Sequence, residues 1–278
     1  NRQGSIKTRQ RYRAAMIRFC AYLAEQWHVQ KLDNISPKHL TAYVEYLYKK
    51  GNSAAMVKTE LSAIRFFHDK MSNPRYELQG NQELNLLKRK RKGVDRTWSN
   101  QEFNLMLIEA ISINREDYAA LLCLAKYAGL RLEECLKLDT ASAEKALRTG
   151  LLTIKGKNGK IRTVPINETI QIELQKMLKI TQRGHKLFVS DNERTDHAKT
   201  RVENFIYHHR KRIQKEGRTH PITFHGLRHT YACTLYQHCR KDGLSHEAAC
   251  KYVSRMLGHE REEVTTIYLA SLNFKEGV

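Results

Sequence analysis

Three features of the sequence predict a mainly helical chain of two domains that carries one small β-hairpin. Apolar residues recur at three- and four-residue spacing, between capping residues, along most of the 278 positions. An Asn158-Gly159 pair stands between two short β-compatible runs, the strongest local hairpin signal. A basic run from Lys88 to Arg96 divides a Lys/Arg-rich front from the remainder, as an exposed linker does. The length suits two cores better than one. We therefore expect a helical domain at residues 1–87, a basic linker at 88–97 and an α+β domain at 98–278.

Charge narrows the partner. The formal net charge is +20 and the isoelectric point about 9.8, so a polyanion is expected, nucleic acid first. The first 96 residues hold 20 Lys and Arg against 8 Asp and Glu, a net +12. A membrane is disfavoured, because no run approaches 18 apolar residues and no signal peptide opens the chain. Six cysteines lie scattered without a CxxC pair and read as reduced core residues of a cytoplasmic protein.

In the front part, Tyr12, Met16, Phe19 and Leu23 give a buried stripe to a helix over Ile6 to Gln26, and Lys7, Arg11 and Arg18 fall on the opposite face. Ser36-Pro37 starts a second helix, which Gly51 stops. A third runs from Ala54 to Lys70 on Val57, Leu61, Ile64 and Phe67, with Lys58 and Arg65 beside that stripe. A short fourth is expected around Gln82 to Leu87. Lys88, Arg89, Lys90, Arg91 and Lys92 then repel one another and stay exposed, where they can meet phosphates.

The second part opens on a capping box, Ser99 with Glu102. A helix over Glu116 to Ala128 ends at Gly129, and the sequence Gly129-Leu130-Arg131-Leu132-Glu133-Glu134 places Arg131 at the next helix start, a position suited to an anion. Strands Leu151–Lys157 and Lys160–Ile166 flank the hairpin turn. Helices follow at Glu168 to Lys179 and Ala198 to Lys215, the latter carrying Arg210, Lys211 and Arg212. From about His225 another helix puts His225 and Arg228 on one face. Ser245 caps the next, Gly258 ends it, His259 follows, and Tyr268 lies on a last short helix.

These residue types suit chemistry on a phosphate. Arginine offers a planar fork to phosphate oxygens, histidine a donor that also moves a proton, and tyrosine an oxygen nucleophile. His225 and His229 have zinc-compatible spacing, but a third ligand and the HExxH pattern are missing, so no metal is expected. His229 reads as a core side chain.

The stretches ITFHGLRHTYACTLY, LGHE and TTIYL, in this order and spacing, resemble the catalytic box of the tyrosine recombinases, the phage integrase family. GLRLEE resembles the family's GLR-x-x-E motif, and GKNGKIRTVP its hairpin with a mobile catalytic lysine, matched by Lys157 with Lys155 and Lys160 as rivals. The resemblance implies a helical core-binding domain followed by a catalytic domain, and a catalytic set of Arg131, Lys157, His225, Arg228, His259 and Tyr268, with Glu134 in support. It implies cleavage and rejoining of DNA through a 3′-phosphotyrosine and a Holliday junction, with no cofactor. The implied partners are double-stranded DNA sites bridged by a homotetramer, with accessory DNA-bending proteins, in the nucleoid-associated cytoplasm, in service of a mobile genetic element. A type IB topoisomerase-like enzyme and a non-catalytic DNA-binding regulator of the same fold are the alternatives.

Overall fold

A computed structural model of the chain describes residues 6–88, 94–156, 159–258 and 267–272. The chain divides into two compact units, Asn1–Arg91 and Lys92–Val278.

The first unit is built from α1 (Ile6–Trp27), α2 (Pro37–Lys49) and α3 (Ala54–His68). Ser36 caps α2, and its side chain shares a bond with His39 Nδ1, closing the capping box with a histidine in place of the usual glutamate. Phe19, Leu23, Leu40, Tyr43, Leu61 and Ile64 meet in the core, each almost wholly buried. The expected fourth helix is absent. Residues 81–85 form turns, and Asn85 has φ 45°, a left-handed conformation that interrupts any helix there. Leu84 is nevertheless buried, so the segment packs on the core without being helical.

In the second unit, α4 (Asn100–Ser112) and α5 (Glu116–Ala128) precede the short α6 (Leu132–Cys135) and α7 (Thr140–Thr149). The hairpin of β1 (Leu151–Lys155) and β2 (Ile161–Pro165) follows, then α8 (Glu168–Ile180), α9 (Thr195–Ile213), α10 (Phe224–Lys241) and α11 (His246–Leu257). Every residue from Tyr118 to Ala125 is buried, as befits a helix apolar all round, and α5 packs against α4, α8 and α10 at the centre of the unit.

The antiparallel hairpin pairs Leu151 with Pro165 through to Lys155 with Ile161, so Gly156 and Lys160 already belong to its loop. Gly156 N–H donates to Lys160 O at 2.7 Å and closes the base of that loop. The strands are accordingly shorter than the hydrophobic pattern suggests. Helix α7 is an element that the sequence pattern does not announce. Asp139 caps it, Gly150 stops it in a left-handed conformation, and Thr140 Oγ1 receives the Gly184 N–H at 2.8 Å.

Candidate active site

Arg131 owes its position to a backbone turn. Gly129 ends α5 with φ 63°, and Arg131 enters α6 in extended conformation. Glu134, three residues on, reaches back to it: the Arg131 N–H donates to Glu134 Oε2 and Arg131 Nη1 to Oε1, both at 2.8 Å. The carboxylate is 4 % exposed and also receives Arg162 of β2, Nη1 on Oε1 at 2.9 Å and Nη2 on Oε2 at 2.7 Å. Burial raises the Glu134 pKa, but Arg162, the Arg131 N–H and Arg228 outweigh it and bring the group down to about 2. The Arg131 side chain keeps about a third of its surface open (35 %), so it is the most accessible of the three arginines around Glu134.

Arg228, one turn into α10, is wholly buried. Its fork donates to Gly129 O, at the end of α5, and to Leu257 O, at the end of α11. Carbonyl ends of helices favour a cation, so the two helix termini hold the guanidinium plane between them. Burial and the Arg131 charge lower its pKa to about 10, which leaves it protonated at neutral pH.

On the same helix, His225 Nε2 lies 3.2 Å from the Tyr268 hydroxyl. Crowding by neighbouring atoms, then the charges of Arg228, Arg131 and Arg96, lower His225 to about 4, although the residue as a whole is exposed. The imidazole is therefore neutral near pH 7 and able to accept the phenolic proton. Beneath it, buried His229 stacks on the Tyr268 ring at 4.3 Å between centroids and 24° between planes. Cys233 Sγ donates to Tyr268 O at 3.3 Å. Tyr268 itself has helical backbone just ahead of a 3-10 turn at Ala270–Leu272 and is 7 % exposed.

The start of α10 is fixed by its close approach to the segment before α4. Trp98 Nε1 donates to Thr223 O at 2.9 Å, and the Trp98 N–H to Thr230 Oγ1 at 2.8 Å. A Cβ on Gly226 would lie 2.4 Å from Arg96 O, so only glycine fits in the His-Gly-Leu-Arg sequence.

Of the residues singled out in the sequence, Arg131, Glu134, His225, Arg228 and Tyr268 are brought together, whereas Lys157 and His259 lie outside the described residues. Its rivals Lys155 and Lys160 are both exposed at the hairpin loop. The basic residues read as phosphate contacts separate into two groups. Lys7, Arg11, Lys88 and Lys211 are exposed, and Lys58 half-buried. Arg18 instead turns to the α1–α3 seam, where Nη2 pairs with buried Glu60 at 2.5 Å. Arg65 holds Gln79 O and Asn81 Oδ1, both at 2.8 Å, Arg212 pairs with Glu109 at 3.1 Å, and Arg210 sits over the Tyr207 ring. Arg89, Lys90, Arg91 and Lys92 lie outside the described residues. Among the described residues no three His, Cys, Asp or Glu side chains converge as a metal site. Likewise, no described helix is long and apolar enough to cross a membrane.

Arg162 and Arg96 are the members of the cluster that sequence patterning passes over. The signal for Arg162 is present: it shares the inward phase of β2 with buried Val164, and a cation on a buried strand face requires an anion.

Comparison with known proteins identifies relatives of both units. The sequence model described as "Phage integrase, N-terminal SAM-like domain" matches residues 1–71. Tyrosine recombinase XerD of Oceanobacillus iheyensis is 24 % identical over 280 residues, covering 95 % of this chain and 87 % of its own. Tyrosine recombinase XerD of Shewanella oneidensis is 30 % identical over 154 residues, 54 % of this chain and 47 % of that one. Among solved structures, a lambda integrase (75-356) dimer bound to a COC′ core site superposes with TM-score 0.70 at 18 % identity, over 100 % of this chain and 93 % of the other. XerH site-specific recombinase bound to difH substrate gives 0.61 at 22 %, over 93 % and 76 %. The model described as "Phage integrase family" matches residues 96–274, which hold the whole Arg131–Glu134–His225–Arg228–Tyr268 cluster, and the chain belongs to that family, the tyrosine recombinases.

Proposed function

We propose that the chain is a site-specific DNA recombinase whose Tyr268 attacks the scissile phosphate, forming a 3′-phosphotyrosine and releasing a 5′ hydroxyl. The observation that carries this reading is the 3.2 Å approach of the Tyr268 hydroxyl to His225, beside the arginine cluster. His225, neutral at working pH, takes the phenolic proton as the P–O bond forms. Arg131 and Arg228 stabilise the charge that grows on the non-bridging oxygens, as donors do in an oxyanion hole. Lys157 protonates the leaving 5′ oxygen, and His259 donates to the phosphate; these two roles come from motif position. The tyrosyl ester conserves the energy of the broken bond, so the free 5′ hydroxyl of a partner duplex reverses the step and joins new strands.

Relatives frame the finer reading. Lambda integrase is solved as a dimer on a core site and as a tetramer on a Holliday junction, and XerH on its difH substrate. For this chain we infer the corresponding assembly: four protomers on two duplex sites, two rounds of exchange through a Holliday junction, and integration, excision or resolution of a mobile element as the outcome.

The test is covalent capture. Wild-type protein and Y268F are incubated with nicked, labelled fragments of the DNA flanking the gene, and detergent-resistant adducts are resolved by electrophoresis. We expect an adduct with wild type and none with Y268F. Site-specific binding without any adduct would instead mark a regulator that keeps the fold.

A further inference from the structure

We propose that Arg162, on β2, is a positioning residue for strand cleavage: it occupies one side of the Glu134 carboxylate so that the open part of the Arg131 guanidinium and the charge of buried Arg228 remain directed to the scissile phosphate. The inference rests on the strand-cleavage reading above and adds a residue to it.

The geometry is that of a shared carboxylate. Arg162 meets Glu134 fork to fork, at 2.9 and 2.7 Å, and its side chain is only 10 % exposed. The same two oxygens accept the Arg131 N–H and Nη1, both at 2.8 Å, and Oε2 lies 3.8 Å from Arg228 Nη1. An ionised carboxylate offers about four lone-pair sites, so this one is filled by two arginines, with the third close at hand. Three guanidinium charges against one carboxylate leave the cluster positive. Without Arg162 two lone pairs fall vacant and one positive charge is lost. Glu134 is then drawn toward Arg131 and Arg228, the groups that a phosphate must engage.

The surroundings of Arg162 are shaped to keep it there. A Cβ on Gly258, the left-handed residue that ends α11, would lie 3.0 Å from Arg162 Cδ. A Cβ on Gly156, at the hairpin base, would lie 3.5 Å from Glu134 Oε1 and 3.7 Å from Arg162 Nη1. Arg162 therefore ties β2 to Glu134 of α6, with its stem close beside the end of α11. Its worth to the reaction comes through Glu134 and the two arginines beyond it.

A double-mutant cycle separates this role from a merely structural one. Wild type, R162M, E134Q and R162M/E134Q are compared for adduct formation on nicked duplex, for DNA affinity and for thermal unfolding. For R162M we expect cleavage to fall by about 10- to 100-fold, with affinity within about threefold, since the loss lies in charge stabilisation rather than docking. A glutamine cannot draw the arginine forks as a carboxylate does. R162M/E134Q should therefore cleave at least about tenfold faster than R162M and match E134Q, a coupling typical of residues in one network. The cycle is repeated with R162K, whose charge and stem keep the hairpin seated, so the result does not hang on the folding of R162M. Losses that simply multiply in the double variants, or an R162M that cleaves like wild type, overturn the proposal while leaving strand cleavage intact. A wild-type protein that forms no adduct overturns both.

Discussion

At the level of single residues, the candidate site holds two histidines in unlike settings on successive turns of α10. His225 presents Nε2 to the Tyr268 hydroxyl, whereas His229 lies flat against the ring of the same tyrosine. Both are lowered to about 4, crowding by neighbouring atoms being the first cause for each, although His225, unlike His229, is exposed. A base with that pKa is already neutral at pH 5.5, so single-turnover cleavage should show no inflection near 6.5 on the acid side. The rate should fall only as the pH approaches 4; an inflection near 6.5, measured on a nicked duplex, would show that solvent restores the ring to its ordinary behaviour. Gly226 makes a second prediction at this scale. Its missing Cβ leaves room for Arg96 O, which a methyl would approach to 2.4 Å. G226A should lose about 1–3 kcal/mol in chemical denaturation, the usual cost of overpacking, and should displace the start of α10 on which His225 and Arg228 sit.

At the level of elements, the two arginines of the candidate site differ in what else they hold. Arg131 stands at the start of α6 with a third of its side chain in solvent, while Arg228 is wholly buried and joins the carbonyl ends of α5 and α11. R131A should therefore lose about 100- to 1000-fold in cleavage with little change in melting temperature, because Arg162 still satisfies Glu134. R228A should lose cleavage and, in addition, about 3–5 kcal/mol of stability, as a buried network does when one charged partner goes. Equal melting temperatures for the two variants would remove Arg228 from its clamping role. The helices around these residues were legible in the sequence wherever local chemistry sets them: the Ser99–Glu102 box, Gly129 after α5, Ser245 and Gly258 around α11. Legibility failed where distant contacts decide. Helix α7 has few apolar residues and depends on packing against β1 and α8, and the segment from Gln82 to Leu87 is held by its buried Leu84 rather than by helical bonds. In the site, motif order and spacing singled out Arg131, His225, Arg228 and Tyr268, which the structure brings together; the inward phase of Arg162 can be read from β2, but its partner Glu134 becomes visible only when β2 folds onto α6.

At the scale of the whole molecule, a net charge of +20 leads us to expect that affinity for DNA is a matter of counterions, and the structure separates exposed cations from paired ones. A lysine or arginine that neutralises a phosphate releases a condensed ion, so each contact steepens the fall of binding with salt by about 0.9 in a log–log plot. With roughly six to ten such contacts, affinity should fall by about 10³- to 10⁵-fold between 50 and 200 mM salt. Not every arginine on α1 belongs to that number. Lys7 and Arg11 are exposed, whereas the head of Arg18 pairs with Glu60, which is 2 % exposed and also accepts the Tyr43 hydroxyl at 3.2 Å. K7A/R11A should accordingly flatten the salt slope by about 2 without changing the unfolding midpoint. R18A should leave the slope unchanged and lower the midpoint, because it strands a buried carboxylate. Titrations of a labelled duplex at four salt concentrations, beside urea melts of the same variants, read both quantities. If R18A flattened the slope as much as K7A/R11A does, Arg18 would have to leave Glu60 for a phosphate on binding, and the ion pair would be a resting position of that arginine rather than a strut of the helical unit.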